Sequence, residues 1–224
     1  MTRLRNACAS ILALAALTGL GGFPTLHLAR PAMAQRQSAV NAMNALLAKP
    51  AALPDMAVGP AKAPVTIYEF ASMSCPHCAA FEQNVFPMIR SKYIDTGKVR
   101  YVFREFPLDI KAVAASMLAR CVANGDAEKF FGTIDTLFKQ QDPLMTQTLE
   151  TLQAIGRQAG MDEKATEVCI KDQSLLDKLS ADQKFANEQL KVDATPTFFI
   201  NGKMVKGAIS FEEFEVKLKP LLKK

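Results

Sequence analysis

Apolar residues fall along the chain in blocks of differing period, and each block predicts an element. Val40, Met43, Leu46 and Leu47 recur at helical spacing and predict a short helix over residues 35–49. Residues 50–64 hold four prolines and read as a loop, with a short strand near 56–58. The run PVTIYEF, residues 64–70, is β-branched and aromatic, a buried strand. Phe81, Val85, Met88 and Ile89 form an inward stripe on a helix over 78–93, and Gly97 stops it. In KVRYVFREF, residues 98–106, Val99, Tyr101 and Phe103 alternate inward, a second strand.

Residues 107–194 then carry almost no strand signal. Their helical stripes are Ile110, Val113, Met117 and Cys121; Phe130, Phe131, Ile134, Leu137 and Phe138; and Leu149, Leu152, Ile155 and Ala159, ended by Gly160. Asp162 is placed to cap a short helix carrying Cys169, and another helix runs over 175–190. This block reads as a helical bundle or subdomain. Strand signal returns at 197–200, Asn201-Gly202 is a hairpin turn, and 203–205 supplies the partner strand. Ser210-Phe-Glu-Glu213 is a capping box opening a last helix with Phe211, Phe214, Leu218 and Leu221 inward.

Composition changes this picture mainly at the start. Arg3 and Arg5 precede the apolar run ASILALAALTGL, and Ala32-Met33-Ala34 supplies an A-x-A cleavage signal, so residues 1–34 read as an export signal cleaved after Ala34. The apolar run is shorter than the roughly 20 residues that span a bilayer, which disfavours an uncleaved anchor. Cys8 precedes that run and is misplaced for a lipid anchor. Losing Arg3, Arg5 and Arg30 lowers Lys+Arg from 27 to 24 against 22 Asp+Glu, so net charge falls from +5 to +2. The basic balance therefore belongs largely to the signal, and with no Trp and three Tyr nothing supports nucleic-acid binding.

Export places the remaining cysteines, Cys75, Cys78, Cys121 and Cys169, in an oxidising compartment. Their even number suggests two pairs, Cys121 and Cys169 forming a structural disulfide in the helical block. The alternative is two buried free thiols acting as small apolar residues. His77 is the one histidine left after cleavage, which removes His-rich metal sites and a Ser-His-Asp triad.

The motif Cys75-Pro76-His77-Cys78 sits where a strand ends and a helix begins. A helix start carries partial positive charge and unpaired N–H groups, so a thiolate at Cys75 is favoured over a thiol. Pro76 suits the first turn, where its missing N–H costs nothing. A protonated His77 adds a second positive neighbour, against the alternative of an inert surface histidine. Lowering the Cys75 pKa stabilises the reduced form and makes the disulfide a stronger oxidant. Cys78, one turn in, is the resolving thiol. A zinc knuckle would need further N or S ligands, and a purely structural bridge would close a tiny loop to little effect. Thr195-Pro196 directly precedes a strand, as either a cis peptide exposing the Thr195 backbone or an ordinary trans proline.

Glu69-Phe70, the C-P-H-C motif, FREFPL at 103–108, the long helical insert and ATPTFFINGK at 194–203 together resemble the DsbA family of thiol:disulfide interchange proteins. The resemblance covers about residues 55–220. It implies an α/β thioredoxin fold with an inserted helical domain: a first thioredoxin part at 64–106, the insert at 107–194, the second part at 195–224, and an N-terminal extension at 35–63. It implies a cis Pro196 facing the dithiol, Thr195 and Pro196 as the substrate-binding pair, and Glu69 as an acid buried beneath the cysteines rather than a surface residue. It implies a periplasmic enzyme without cofactor or metal, acting on reduced secreted proteins and reoxidised by a membrane quinone-linked thiol oxidase. Thr195 departs from the valine of the best-known oxidases and matches related isomerases and reductases. The extension at 35–64 is short for an isomerase dimerisation domain, which points to a monomer. A non-catalytic copper or zinc carrier using Cys75 and Cys78 is the reading from another class.

Overall fold

The computed structural model describes the backbone of residues 26–223 and side chains from residue 33. The apolar run at 9–20 lies outside the described residues. Helix α1 spans Leu26–Leu47, so the helix expected over 35–49 starts earlier and runs through Ala32-Met33-Ala34.

Five strands form one sheet in the order β1-β3-β2-β4-β5: β1 Met56–Val58, β2 Val65–Ala71, β3 Val99–Glu105, β4 Thr197–Ile200 and β5 Lys203–Lys206. Only β2 and β3 pair in parallel; the other neighbours are antiparallel. The parallel pair needs a crossover. Helix α2 (Pro76–Asn84), helix α3 (Phe86–Ile89) and a π-helical turn (Arg90–Ile94) supply it. The single helix expected over 78–93 is broken at Val85, ahead of Pro87, whose ring leaves no N–H to continue the ladder. The β4–β5 hairpin turns through Asn201 (φ 44°) and Gly202 (φ 80°), the left-handed pair that a two-residue turn requires.

Six helices lie between β3 and β4: α4 (Ile110–Ala123), α5 (Ala127–Lys139), α6 (Gln141–Thr146), α7 (Thr148–Gln158), α8 (Glu163–Ile170) and α9 (Gln173–Glu188). Asp109, Asp126, Asp162 and Asp172 cap α4, α5, α8 and α9 with their carboxylates. Ser210 and Glu213 form the capping box of α10 (Phe211–Leu222).

The sheet is covered on both faces. Ile67, Tyr101, Phe103 and Phe198 pack against α2, α4, α5 and α10. Phe70 and Phe199 pack on the other face with Leu47, Phe106, Ala186, Leu190 and Val192. Glu69 follows Ile67 on the first face, which points its carboxyl under α2. Four positions assigned to inward stripes are exposed: Ile110 (73%), Leu149 (48%), Met88 (38%) and Ala159 at the helix end. Ile110 is the first residue of α4 and projects beyond the packed turns. The buried face of that helix is instead largely alanine, at 112, 115, 119 and 123, together with Leu118.

Helices α7 and α8 meet at Gly156, where an added Cβ would lie 2.3 Å from Thr166 Oγ1. Thr166 is fully buried and short, so it has no room to swing away. Gly156→Ala is therefore expected to cost about 1–3 kcal/mol despite the better helix propensity of alanine, as read from urea midpoints. Next to this contact, Cys121 on α4 and Cys169 on α8 stand at an S–S distance of 2.08 Å.

Candidate active site

Cys75 ends the loop after β2 and is the N-cap of α2, with Pro76 in the first turn. Its sulfur accepts the Cys78 N–H at 3.4 Å, and its thiol faces the Thr195 carbonyl oxygen at 3.3 Å. The Thr195–Pro196 peptide is cis, and it brings β4's leading edge beside the sulfur. Cys75 is 4% exposed and Cys78 fully buried, and both are free thiols.

The two sulfurs are driven apart in acidity. The Cys75 pKa is lowered to about 5, first by the thiol of Cys78 donating to it, then by the Thr195 hydroxyl and the backbone N–H groups of Cys78 and His77, against burial, which raises it. Burial above all, then the bond to Cys75 and the charge of Glu69, push the Cys78 thiol far up. The helix-start donors expected at Cys75 are thus present. The imidazole of His77 is exposed to solvent, and what His77 gives the sulfur is its main-chain N–H. The Cys78 thiol is a further donor that the motif spacing did not reveal. The Thr195 hydroxyl oxygen is buried without a hydrogen-bond partner of good geometry, which leaves its polarity to act on the sulfur.

Glu69 lies beneath the pair, 1% exposed. Tyr101, on β3 opposite Ile67 and so diagonal to Glu69, donates its hydroxyl to Glu69 Oε2 at 2.7 Å. Burial raises the Glu69 pKa to about 8, opposed by that hydrogen bond and reinforced by the charge of Cys75. At neutral pH it holds a proton next to the thiol that needs one.

The loop itself is fastened from the helical segment. Gln141, at the first turn of α6, donates its amide to the carbonyl oxygens of Met73 (2.8 Å) and Cys75 (3.0 Å). The buried Ser72 hydroxyl accepts the N–H groups of Ser74 and Leu108. FREFPL, quoted in the sequence for its resemblance alone, does physical work here. Arg104 pairs with Asp55 at 2.8 Å, and Glu105 makes a two-toothed ion pair with Arg120. These bonds hold β3 and the segment leading to Leu108 beside the dithiol. Sequence patterning missed Gln141, Ser72 and Arg120; each lies in a helix or loop whose spatial neighbour is set by the fold alone. Among the described residues, no group of three His, Cys, Asp or Glu side chains is placed to hold a metal ion.

Residues 51–219 match the thioredoxin family. The crystal structure of α-DsbA1 from Wolbachia pipientis superposes with a TM-score of 0.73 at 34% identity, covering 80% of this chain and 96% of that one. The chain belongs to the DsbA family. A Rickettsia bellii relative named as a protein-disulfide oxidoreductase is 36% identical over 150 residues, 66% of this chain and 57% of that protein. The chain thus spans little more than half the length of that curated relative. Disulfide bond formation protein D of Bacillus subtilis is 28% identical over 171 residues, 74% of this chain and 76% of that protein. Within this family the fold is the thioredoxin sheet with helices inserted between β3 and β4, as the sequence resemblance implied.

Proposed function

We propose that this DsbA-family protein is a periplasmic dithiol oxidase, exported on residues 1–34 and cleaved after Ala34, that donates its Cys75–Cys78 disulfide to reduced secreted proteins. A substrate thiolate attacks Cys75 Sγ, forming a mixed disulfide and releasing Cys78 as a thiolate, which takes the proton held by Glu69. A second substrate thiolate then attacks the substrate sulfur of the mixed disulfide. The substrate leaves oxidised by two electrons, and Cys75 leaves as a thiolate. Thr195 and Pro196 hold the substrate backbone beside Cys75. Domains follow the same reading, with a thioredoxin domain at 64–106 and 195–224 around an insert at 107–194. The reduced monomer returns to the disulfide through a membrane quinone-linked thiol oxidase.

The observation that carries this reading is the placement of Cys75 as the N-cap of α2, its sulfur accepting the Cys78 N–H beside the cis Thr195–Pro196 peptide and above the buried Cys78 and Glu69, an arrangement that favours an anion at Cys75 and a proton on Cys78. An anionic Cys75 is a good leaving group, and a couple whose reduced form is stabilised is oxidising. Cys75→Ser is expected to abolish oxidation of a reduced dithiol peptide; retained full activity would overturn the assignment.

The Thr195 hydroxyl favours a second reading, an isomerase or reductase. The equilibrium constant of the couple with glutathione separates them. A strongly oxidising couple supports the oxidase, and a value near thioredoxin's, about −270 mV, supports the reductase. Refolding of a scrambled substrate then distinguishes isomerase activity.

A further inference from the structure

The outer edge of the sheet carries features that the dithiol does not use. β5 is the last strand; its Lys203 and Lys206 are exposed, and Met204 and Val205 are half-buried. The Gly207 N–H donates to the Pro196 carbonyl oxygen at 2.8 Å, one step beyond the Thr197–Lys206 pair. Hydrogen-bonded and open pairs alternate along an antiparallel ladder. Val205 and Lys203 therefore bond to β4, opposite Phe198 and Ile200, and Met204 and Lys206 turn their N–H and C=O groups outward. Among the described residues no backbone group meets them there.

A cleft of about 370 Å³ lies between this edge and α10. Ile200, Val205, Val216 and Leu221 give it an apolar lining, and Val216 is 72% exposed. Lys203 and Lys217 line it too, and no acid does. Lys206 of β5 and Lys219 of α10 are held by Asp193 and Glu215, whereas Lys203 and Lys217 have no ion-pair partner among the described residues.

We propose that this edge and cleft dock an extended segment of a partner protein, which pairs with β5 as a further strand and carries an aliphatic residue two positions from an acid. The spacing follows from the pleat. Met204 and Lys206 exchange main-chain hydrogen bonds with the segment, and Val205 and Lys203 face it in the closer, open pairs, about 4.5 Å apart at Cα. Both side chains point to the α10 side, since Val205 packs with the core under that helix and Lys203 is two residues away. The partner residue opposite Val205 thus enters the apolar cleft, and the one opposite Lys203 meets the two unpaired lysines. The same charges oppose pairing of β5 with itself. A second copy would bring another Lys203 and Lys217 to the seam and no acid to meet them, which is how edge lysines guard a sheet against self-association. No atom of the dithiol takes part, so the docking holds whether the protein acts as an oxidase or a reductase.

The test uses the oxidised full chain and a fluorescent, cysteine-free peptide, acetyl-Ser-Thr-Val-Thr-Glu-Thr-Ser-amide. Saturable binding by anisotropy is expected, with slowed amide exchange at Met204 and Lys206. The double variant Lys203→Glu, Lys217→Glu is expected to weaken binding about tenfold or more at low salt. A peptide with lysine in place of its glutamate is expected to bind that double variant more tightly than the parent, a reversal that a misfolded variant would not give. No saturable binding, binding indifferent to the charge reversals, or protection that falls on the Thr195 loop instead of β5 overturns the proposal. So does a concentration-dependent dimer in sedimentation that protects Met204 and Lys206 without peptide, because it gives the edge to a second copy.

Discussion

Alkylation of the reduced protein is expected to proceed at a nearly constant rate between about pH 8 and about pH 6, and to fall roughly tenfold per unit below about pH 5. The cause is local. Three influences act on the Cys75 sulfur: the Cys78 thiol, the polarity of the nearby Thr195 hydroxyl and the first N–H groups of α2. Together they outweigh a burial that by itself would raise the pKa. Thiolate absorbance near 240 nm reads the midpoint directly, and Thr195→Val is expected to move it upward by removing the hydroxyl's polarity from beside the sulfur. A midpoint near that of a free cysteine would leave the proposed donor role without its chemistry.

The same ionisation sets the pH dependence of the reduced state. Cys75 has a folded pKa below its unfolded value, so its contribution to stability is present above the unfolded pKa near 9 and is lost as pH falls through about 5. Glu69 runs the other way. Its folded pKa of about 8 lies above the unfolded value, so its contribution is present below about 4.5 and is lost as pH rises through about 8. In the oxidised protein Cys75 no longer titrates and only the Glu69 trend remains. The stability advantage of the reduced over the oxidised form is therefore expected to grow from about pH 5 to about pH 9 in paired urea titrations.

Arg120→Met is expected to cost about 3–5 kcal/mol, the largest stability loss of any single substitution proposed for this chain. Arg120 and Glu105 are both nearly inaccessible and face each other through two charge-assisted bonds, and Arg120 also donates to the Pro54 carbonyl at 2.5 Å. Its guanidinium lies over the Phe130 ring at 5.1 Å. Removing the cation strands a buried carboxylate and releases the proline-rich loop that precedes β1. Replacing both partners, with Arg120→Met and Glu105→Gln, leaves no orphan charge and is expected to recover most of the loss. Chemical denaturation of the two variants side by side checks this; equal losses would show that the pair's charge is not what the site depends on.

The sequence made the alternating and amphipathic elements legible because their burial is one-sided. Val99, Tyr101 and Phe103 alternate inward as their spacing predicts, and the phenylalanines of α5 all reach the core. Where the period failed, the reason is geometric. Val102 and Arg104 fall on positions that patterning assigns to solvent, yet both are buried, Arg104 donating to the Leu47 carbonyl oxygen. Ile110 fits a stripe but occupies a helix's first position, outside the packed turns. At the site, the C-P-H-C spacing and the preceding strand announced a helix-capping thiol. Cys78 and the N–H groups of His77 and Cys78 tune it from within the motif, and the other partners, Thr195 among them, come from remote segments. Tyr101 reaches Glu69 through strand register, and Gln141 reaches the loop from a different helix, so no local pattern could name them.

Gln141 ties two carbonyls of the reactive loop, one of them belonging to Cys75 itself, to a helix of the inserted segment. Any rigid-body swing of those helices away from the sheet must first tear two hydrogen bonds at the reacting residue. The inserted helices and the reactive loop are thus one mechanical part.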